Sequence, residues 1–224
     1  MARSLTRRYN SAMAGARKET GSRPSPEIAG AAYAPAPVPA GDPPLDPDDL
    51  WVFGYGSLMW RPGFAFVETQ PARLDGYRRD MCLLSFHYRG TRAVPGLVCG
   101  LMEGAACQGR AYRIAAVDAD HALAYLDARE LITDIYIPRH RPIALAAGRT
   151  AIARVYVADT AHGQFVGGWT DAEKVRAIVA GKGSEGRSLE YLRNLVGHLE
   201  ELGIVDAHME ALLDAALAAD GART

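Results

Sequence analysis

The chain has 224 residues, 49% of them hydrophobic, and a formal net charge of −1. That length and composition suit one domain with a real core and argue against a second full domain. The near-neutral balance excludes an overall field that would steer the chain to nucleic acid or a membrane surface, and no apolar run is long enough to span a bilayer.

Residues 1–18 are rich in arginine and poor in acids, the composition of a plain disordered leader or of a transit peptide, without the apolar centre of a secretory signal. Residues 19–49 are dominated by Pro, Ala and Gly. Such a stretch buries too little apolar surface to offset its ordering entropy, so residues 1–49 are expected to be a disordered or polyproline-like tail and residues 50–224 the domain. Trp51-Val52-Phe53 reads as a short buried strand broken by Gly54-Tyr55-Gly56-Ser57. Strand-like runs follow at Ala72–Leu74, Met81–Phe86, Leu97–Leu101 and Gly109–Ile114. A helix, capped by Asp118 or Asp120, is expected over Ala122–Leu131. Ile135–Ile137 and Ala151–Val157 return to β character, with Ala147-Gly148 as a turn between them. Helices then occupy Thr170–Val179, Ser188–Leu202 and Asp206–Ala218, with Thr170 and Asp206 as N-caps and Gly181 and Gly203 as stops. Mixed, mainly antiparallel strands with helices later in the chain predict an α+β domain built on a small barrel.

Two features carry chemical interest. At about 100° per residue, Leu123, Leu126 and Glu130 share one helix face. A carboxyl on an apolar face is desolvated, its pKa rises, and it can exchange a proton near neutral pH. Pairing of Glu130 with an arginine such as Arg139 is the plainer alternative, and Asp127, one carbon shorter, is a rival base. The turn Gly54-Tyr55-Gly56-Ser57-Leu58 offers successive amide N–H groups that can form a concave anion site, with the Ser57 hydroxyl beside them. It lacks both the third glycine of a dinucleotide fingerprint and the Gly-Lys-Ser/Thr of a phosphate loop, and a packing turn is its plain alternative. Arg89 sits in a turn-rich segment and can hold a carboxylate bidentately or simply be solvated. Tyr191 lies on a helix with Leu192 and Leu195, as a core aromatic or a pocket hydroxyl.

No histidine pairs with another His or Cys at metal-site spacing, so no metal is expected. The three cysteines, Cys82, Cys99 and Cys107, show no disulfide framework, which favours a reducing, cytoplasmic setting. Gly-x-Ser-x-Gly is absent, and His87 falls on the opposite side of a strand from Cys82, so neither a serine triad nor a thiol dyad is supported.

The run Trp51-Val52-Phe53-Gly54-Tyr55-Gly56-Ser57-Leu58-Met59-Trp60-Arg61-Pro62-Gly63-Phe64 resembles the opening strand and glycine loop of the ChaC family of gamma-glutamylcyclotransferases. The resemblance continues, in order, through Arg89-Gly90-Thr91, Pro95–Val98, Gly109–Ile114, Tyr125-Leu126 with Arg129-Glu130-Leu131, Tyr136-Ile137-Pro138, Glu190-Tyr191-Leu192 and Leu199–Ile204. It covers roughly residues 50–215. It implies a cyclotransferase-like barrel with flanking helices and a cofactor-free conversion of glutathione to 5-oxoproline and cysteinylglycine. Glu130 then inherits the acid/base role. Tyr55, Gly56, Ser57 and Leu58 inherit the glutamyl-binding loop, with Arg89 and Tyr191 as further pocket residues. Tyr88 stands where the family often has His, and Asp127-Ala128 where it often has Trp-Arg or Asn-Val. Other gamma-glutamyl amino acids or amines as substrates, and a non-catalytic protein that binds a gamma-glutamyl ligand, are the competing readings.

Overall fold

The computed structural model describes residues 33–222; the expectations for residues 1–32 lie outside them. Five strands close into a barrel in the order β1-β3-β2-β4-β5. They are β1 (Asp49–Gly54), β2 (Glu68–Ser85), β3 (Gly96–Ala115), β4 (Tyr136–Ala144) and β5 (Thr150–Ala158). All neighbours are antiparallel except β1 and β5, whose parallel pairing (Trp51 opposite Ala153) closes the barrel. The C-terminal ends of β1 and β5 and the start of the antiparallel β4 therefore share one end of the barrel, where the glycine turn emerges.

β2 and β3 each join two runs that the sequence separates. Gly76 adopts φ +81° inside a bulge between Asp75 and Tyr77, and the ladder continues past it. β4 extends well beyond Ile137 despite Pro138 and Pro142. Both prolines share the parity of His140, whose N–H points away from β5 and donates to Asp42 Oδ2 at 2.8 Å. The missing N–H groups thus fall on the side of β4 that needs no β5 partner.

Helix α1 (Ala116–Glu130) starts earlier than expected, at Ala116 after Ala115, without a side-chain cap; Asp118 lies inside its first turn. The expected caps of the later helices are present: Thr170 forms a capping box with Glu173 at the start of α2 (Asp171–Ala180), and Asp206 accepts from the Met209 amide at the start of α4 (Ala207–Gly221). Between them, α3 (Ser188–Glu201) buries Leu189, Tyr191, Leu192, Leu195, Val196 and Leu199 against the barrel's main core. A second core lies between the outer face of β1, β3 and β5 and helix α1, and includes Val52, Tyr112, Leu123, Leu126 and Tyr156. Among the described residues no helix is long and apolar enough to cross a membrane.

Residues 33–48 belong to the stretch expected to be a disordered or polyproline-like tail. They have almost no regular secondary structure, yet Tyr33 and Leu45 pack on the second core and the Asp42 side chain is nearly inaccessible. Composition counts apolar side chains. It misses backbone and side-chain hydrogen bonds that a segment makes to groups already held by a barrel.

Candidate functional site

The glycine turn leads from β1 into a short 3-10 turn at Ser57–Met59. Gly56 O accepts from the Met59 amide at 2.9 Å and Ser57 O from the Trp60 and Arg61 amides. The Ser57 and Leu58 N–H groups, at the start of that turn, have no acceptor among the described residues, as expected at any helical N-terminus. The loop is pinned from behind. Buried Arg79 donates to Tyr55 O at 2.6 Å, and the Tyr112 hydroxyl donates between the carbonyls of Leu58 and Met59. Gly56 leaves room for a neighbour: a Cβ there would stand 2.9 Å from the Tyr191 hydroxyl oxygen.

A cavity of about 1240 Å³ opens over this loop. That is ample for a peptide-sized ligand. Glu130, Ser57, Arg89 and Tyr191 all line it, so four of the seven expected site residues present side chains to one space. The other three are not among the residues that line it. Tyr55 is buried in the main core and its hydroxyl donates to Tyr156 O at 2.7 Å; Leu58 packs in the second core; Gly56 has no side chain.

Glu130 is the last residue of α1 and its side chain is 16% exposed. Burial drives its carboxyl above the ordinary value of 4.5, only partly opposed by the Arg129 guanidinium, whose Nε lies 3.0 Å from Oε1. The arginine alternative thus holds in altered form. The partner is the adjacent Arg129, while Arg139 pairs with Asp42 at 2.9 Å. Around Glu130 stand the phenols of Tyr55, Tyr136 and Tyr191, whose pKa values rise chiefly through burial and further through the carboxylate's charge. Tyr136 donates to Cys99 O at 2.8 Å, and Tyr191 accepts from the Cys99 amide at 3.3 Å. The Tyr191 proton itself has no acceptor among the described residues.

Arg129 is the site residue that sequence reasoning missed. Besides Glu130 it reaches Ser57 Oγ at 2.8 Å and Arg61 O at 2.6 Å, and so clips the end of α1 to the glycine loop. Its adjacency to Glu130 was visible, but its reach to Ser57 spans 72 positions. Arg89 stacks over the Tyr191 ring at 5.5 Å and donates to Glu185 O, without an ion pair among the described residues. Burial lowers its pKa from the ordinary arginine value.

Asp127, the rival base, is excluded by its partners. Oδ1 accepts from Arg154 Nη2 at 2.7 Å and the Tyr156 hydroxyl at 2.6 Å, and Oδ2 from the Tyr33 hydroxyl and the Ala36 amide at 2.9 Å. Burial pushes this carboxyl up, but those four donors outweigh it and hold it below 3.8. A saturated, ionised carboxylate has no lone pair to offer a substrate proton. The three cysteines are buried and unpaired, and burial raises their thiols, Cys82 to about 12 and Cys107 to about 11. Among the described residues no three His, Cys, Asp or Glu side chains gather as a metal-holding group.

The ChaC-like protein family model matches residues 50–218. The Escherichia coli K12 protein named glutathione-specific gamma-glutamylcyclotransferase is 35% identical over 168 residues, 75% of this chain and 73% of its own. The human protein named glutathione-specific gamma-glutamylcyclotransferase 1 is 32% identical over 176 residues, 76% of this chain and 79% of its own. A crystal structure of the yeast glutathione-specific cyclotransferase superposes with a TM-score of 0.70 at 24% identity, covering 75% of this chain and 96% of that one, which establishes the shared fold.

Proposed function

The chain belongs to the ChaC-like family, and from that premise we propose that it is a glutathione-specific gamma-glutamylcyclotransferase with Glu130 as its acid/base residue. The observation that carries the reading is a desolvated carboxyl of raised pKa that shares one cavity with Ser57 of the glycine loop, whose N–H has no acceptor among the described residues. The names of the bacterial and human relatives support glutathione as the substrate.

The chemistry follows from those parts. The substrate's own glutamyl amine attacks its gamma-carbonyl carbon, and the bond to the cysteinyl nitrogen breaks. Amine and carbonyl are tethered, so the protein's task is to fold the glutamyl arm into attack geometry. Ionised Glu130 takes a proton from the amine and returns it to the departing nitrogen, so protons balance and no water is consumed. The Ser57 and Leu58 N–H groups hold the glutamyl carboxylate or the developing oxyanion. Tyr191, whose proton has no acceptor among the described residues, is a further donor to that oxygen, and the Arg89 guanidinium, without an ion pair among the described residues, receives a substrate carboxylate. The reaction is redox-neutral and needs no cofactor. Three buried, unpaired thiols support a cytoplasmic setting.

The test is to incubate the protein with glutathione and follow products by mass spectrometry. Equal amounts of 5-oxoproline and cysteinylglycine are expected. Intact glutathione, with gamma-glutamyl-alanine consumed instead, would reassign the substrate; ligand-induced thermal stabilisation without any product would make the protein a binder rather than an enzyme.

A further inference from the structure

The family match begins at residue 50, and the segment before it makes contacts that reach toward the proposed base. Asp127 lies three positions before Glu130, in the last turn of α1. Its two oxygens serve two different parts of the molecule. Oδ1 faces strand β5, where Arg154 and Tyr156 donate to it; Oδ2 faces residues 33–48, where Tyr33 and the Ala36 amide donate. Arg154 closes the ring by donating to Ala36 O at 3.3 Å.

A second anchor holds the same segment. Asp42, with a side chain 2% exposed, pairs with Arg139 and Arg141 and accepts the His140 amide, while Pro43 O lies 3.1 Å from His140 Nδ1. This covers the side of β4 that Pro138 and Pro142 leave without donors. From the hub, Tyr156 runs on to the site: its carbonyl accepts the Tyr55 hydroxyl, and Tyr55 stands beside Glu130 at the head of the glycine loop.

We infer that residues 33–43 are a positioning strap, which clamps the end of α1 to the barrel through Asp127 and thereby sets Glu130 against the glycine loop. The inference rests on Glu130 being the acid/base group. Two of the four donors on Asp127 belong to the strap, so its release leaves Oδ2 bare and the helix end held on one side only. A displacement of the base by a fraction of an ångström slows the proton transfers without removing a substrate contact, since no strap residue lines the cavity.

The experiment uses the full-length chain carrying Y33F together with A36P, which removes both donors to Oδ2, and separately the Asp42→Ala variant, which releases the second anchor. Limited proteolysis within residues 33–48 reports strap release; kcat and KM for glutathione and the melting temperature report its consequence. Wild-type turnover is measured first, because its absence defeats the functional reading rather than the strap. The expected result is a strap open to protease, kcat lowered about tenfold, KM within about twofold and a barrel that still melts cooperatively. An opened strap with unchanged kcat overturns the inference, as does a rise in KM alone. A strap that stays protected in both variants also overturns it, because the named contacts would not then be what holds it.

Discussion

The last turn of α1 presents carboxylates to two regions, and the regions treat them oppositely. On the strap side, buried Asp127 is met by four donors, which hold its pKa below 3.8. On the cavity side, Glu130 is met by Arg129 and otherwise by phenols and apolar surface, and its carboxyl is pushed above 4.5. Burial is common to both. The count of donors decides whether a buried carboxyl becomes a structural anion or a group that can exchange a proton.

The largest effect expected from breaking this comparison is at the cavity side. Glu130→Gln keeps the shape and removes the base, so kcat should fall by about 10³-fold, within the usual range for a lost acid/base group, with circular dichroism unchanged. Near-normal turnover in that variant would sink the assignment. The converse substitution, Asp127→Ala, should act on stability first. It leaves Arg154 buried without its anion, and urea denaturation should show a loss of about 3–5 kcal/mol at pH 7. Because the folded Asp127 pKa is depressed, its contribution is present above the unfolded value near 3.8 and is lost as pH falls through the folded one. The difference between wild type and an Asp127→Asn variant should therefore shrink on the acid side.

The smallest effect is a displaced pH profile. Turnover requires ionised Glu130, so kcat/KM should fall as pH drops through a pKa above 4.5. Among the described residues Arg129 is the one group that lowers that pKa. Arg129→Met should move the acid limb to higher pH and, by freeing Ser57, lower kcat/KM by about tenfold. A limb that stays in place would mean that another group controls the profile.

Periodicity alone put Glu130 on an apolar helix face, and local turn chemistry marked the glycine loop and the caps at Thr170 and Asp206. These are properties of neighbours in the chain, set by 3.6-residue repetition and by which residues tolerate a turn. The order of motifs along the chain carried the family resemblance. What only the tertiary structure decided are the partners. The runs at Ala72–Leu74 and Met81–Phe86 join into one strand through a bulge at Gly76 because β3 lies alongside both. Arg129 bridges to Ser57, Asp127 is saturated by groups 27 to 94 positions away, and residues 33–48 are ordered by a barrel they do not belong to. A carboxyl's reactivity depends on the number and distance of its donors, and those are fixed by folding rather than by the residues beside it in sequence.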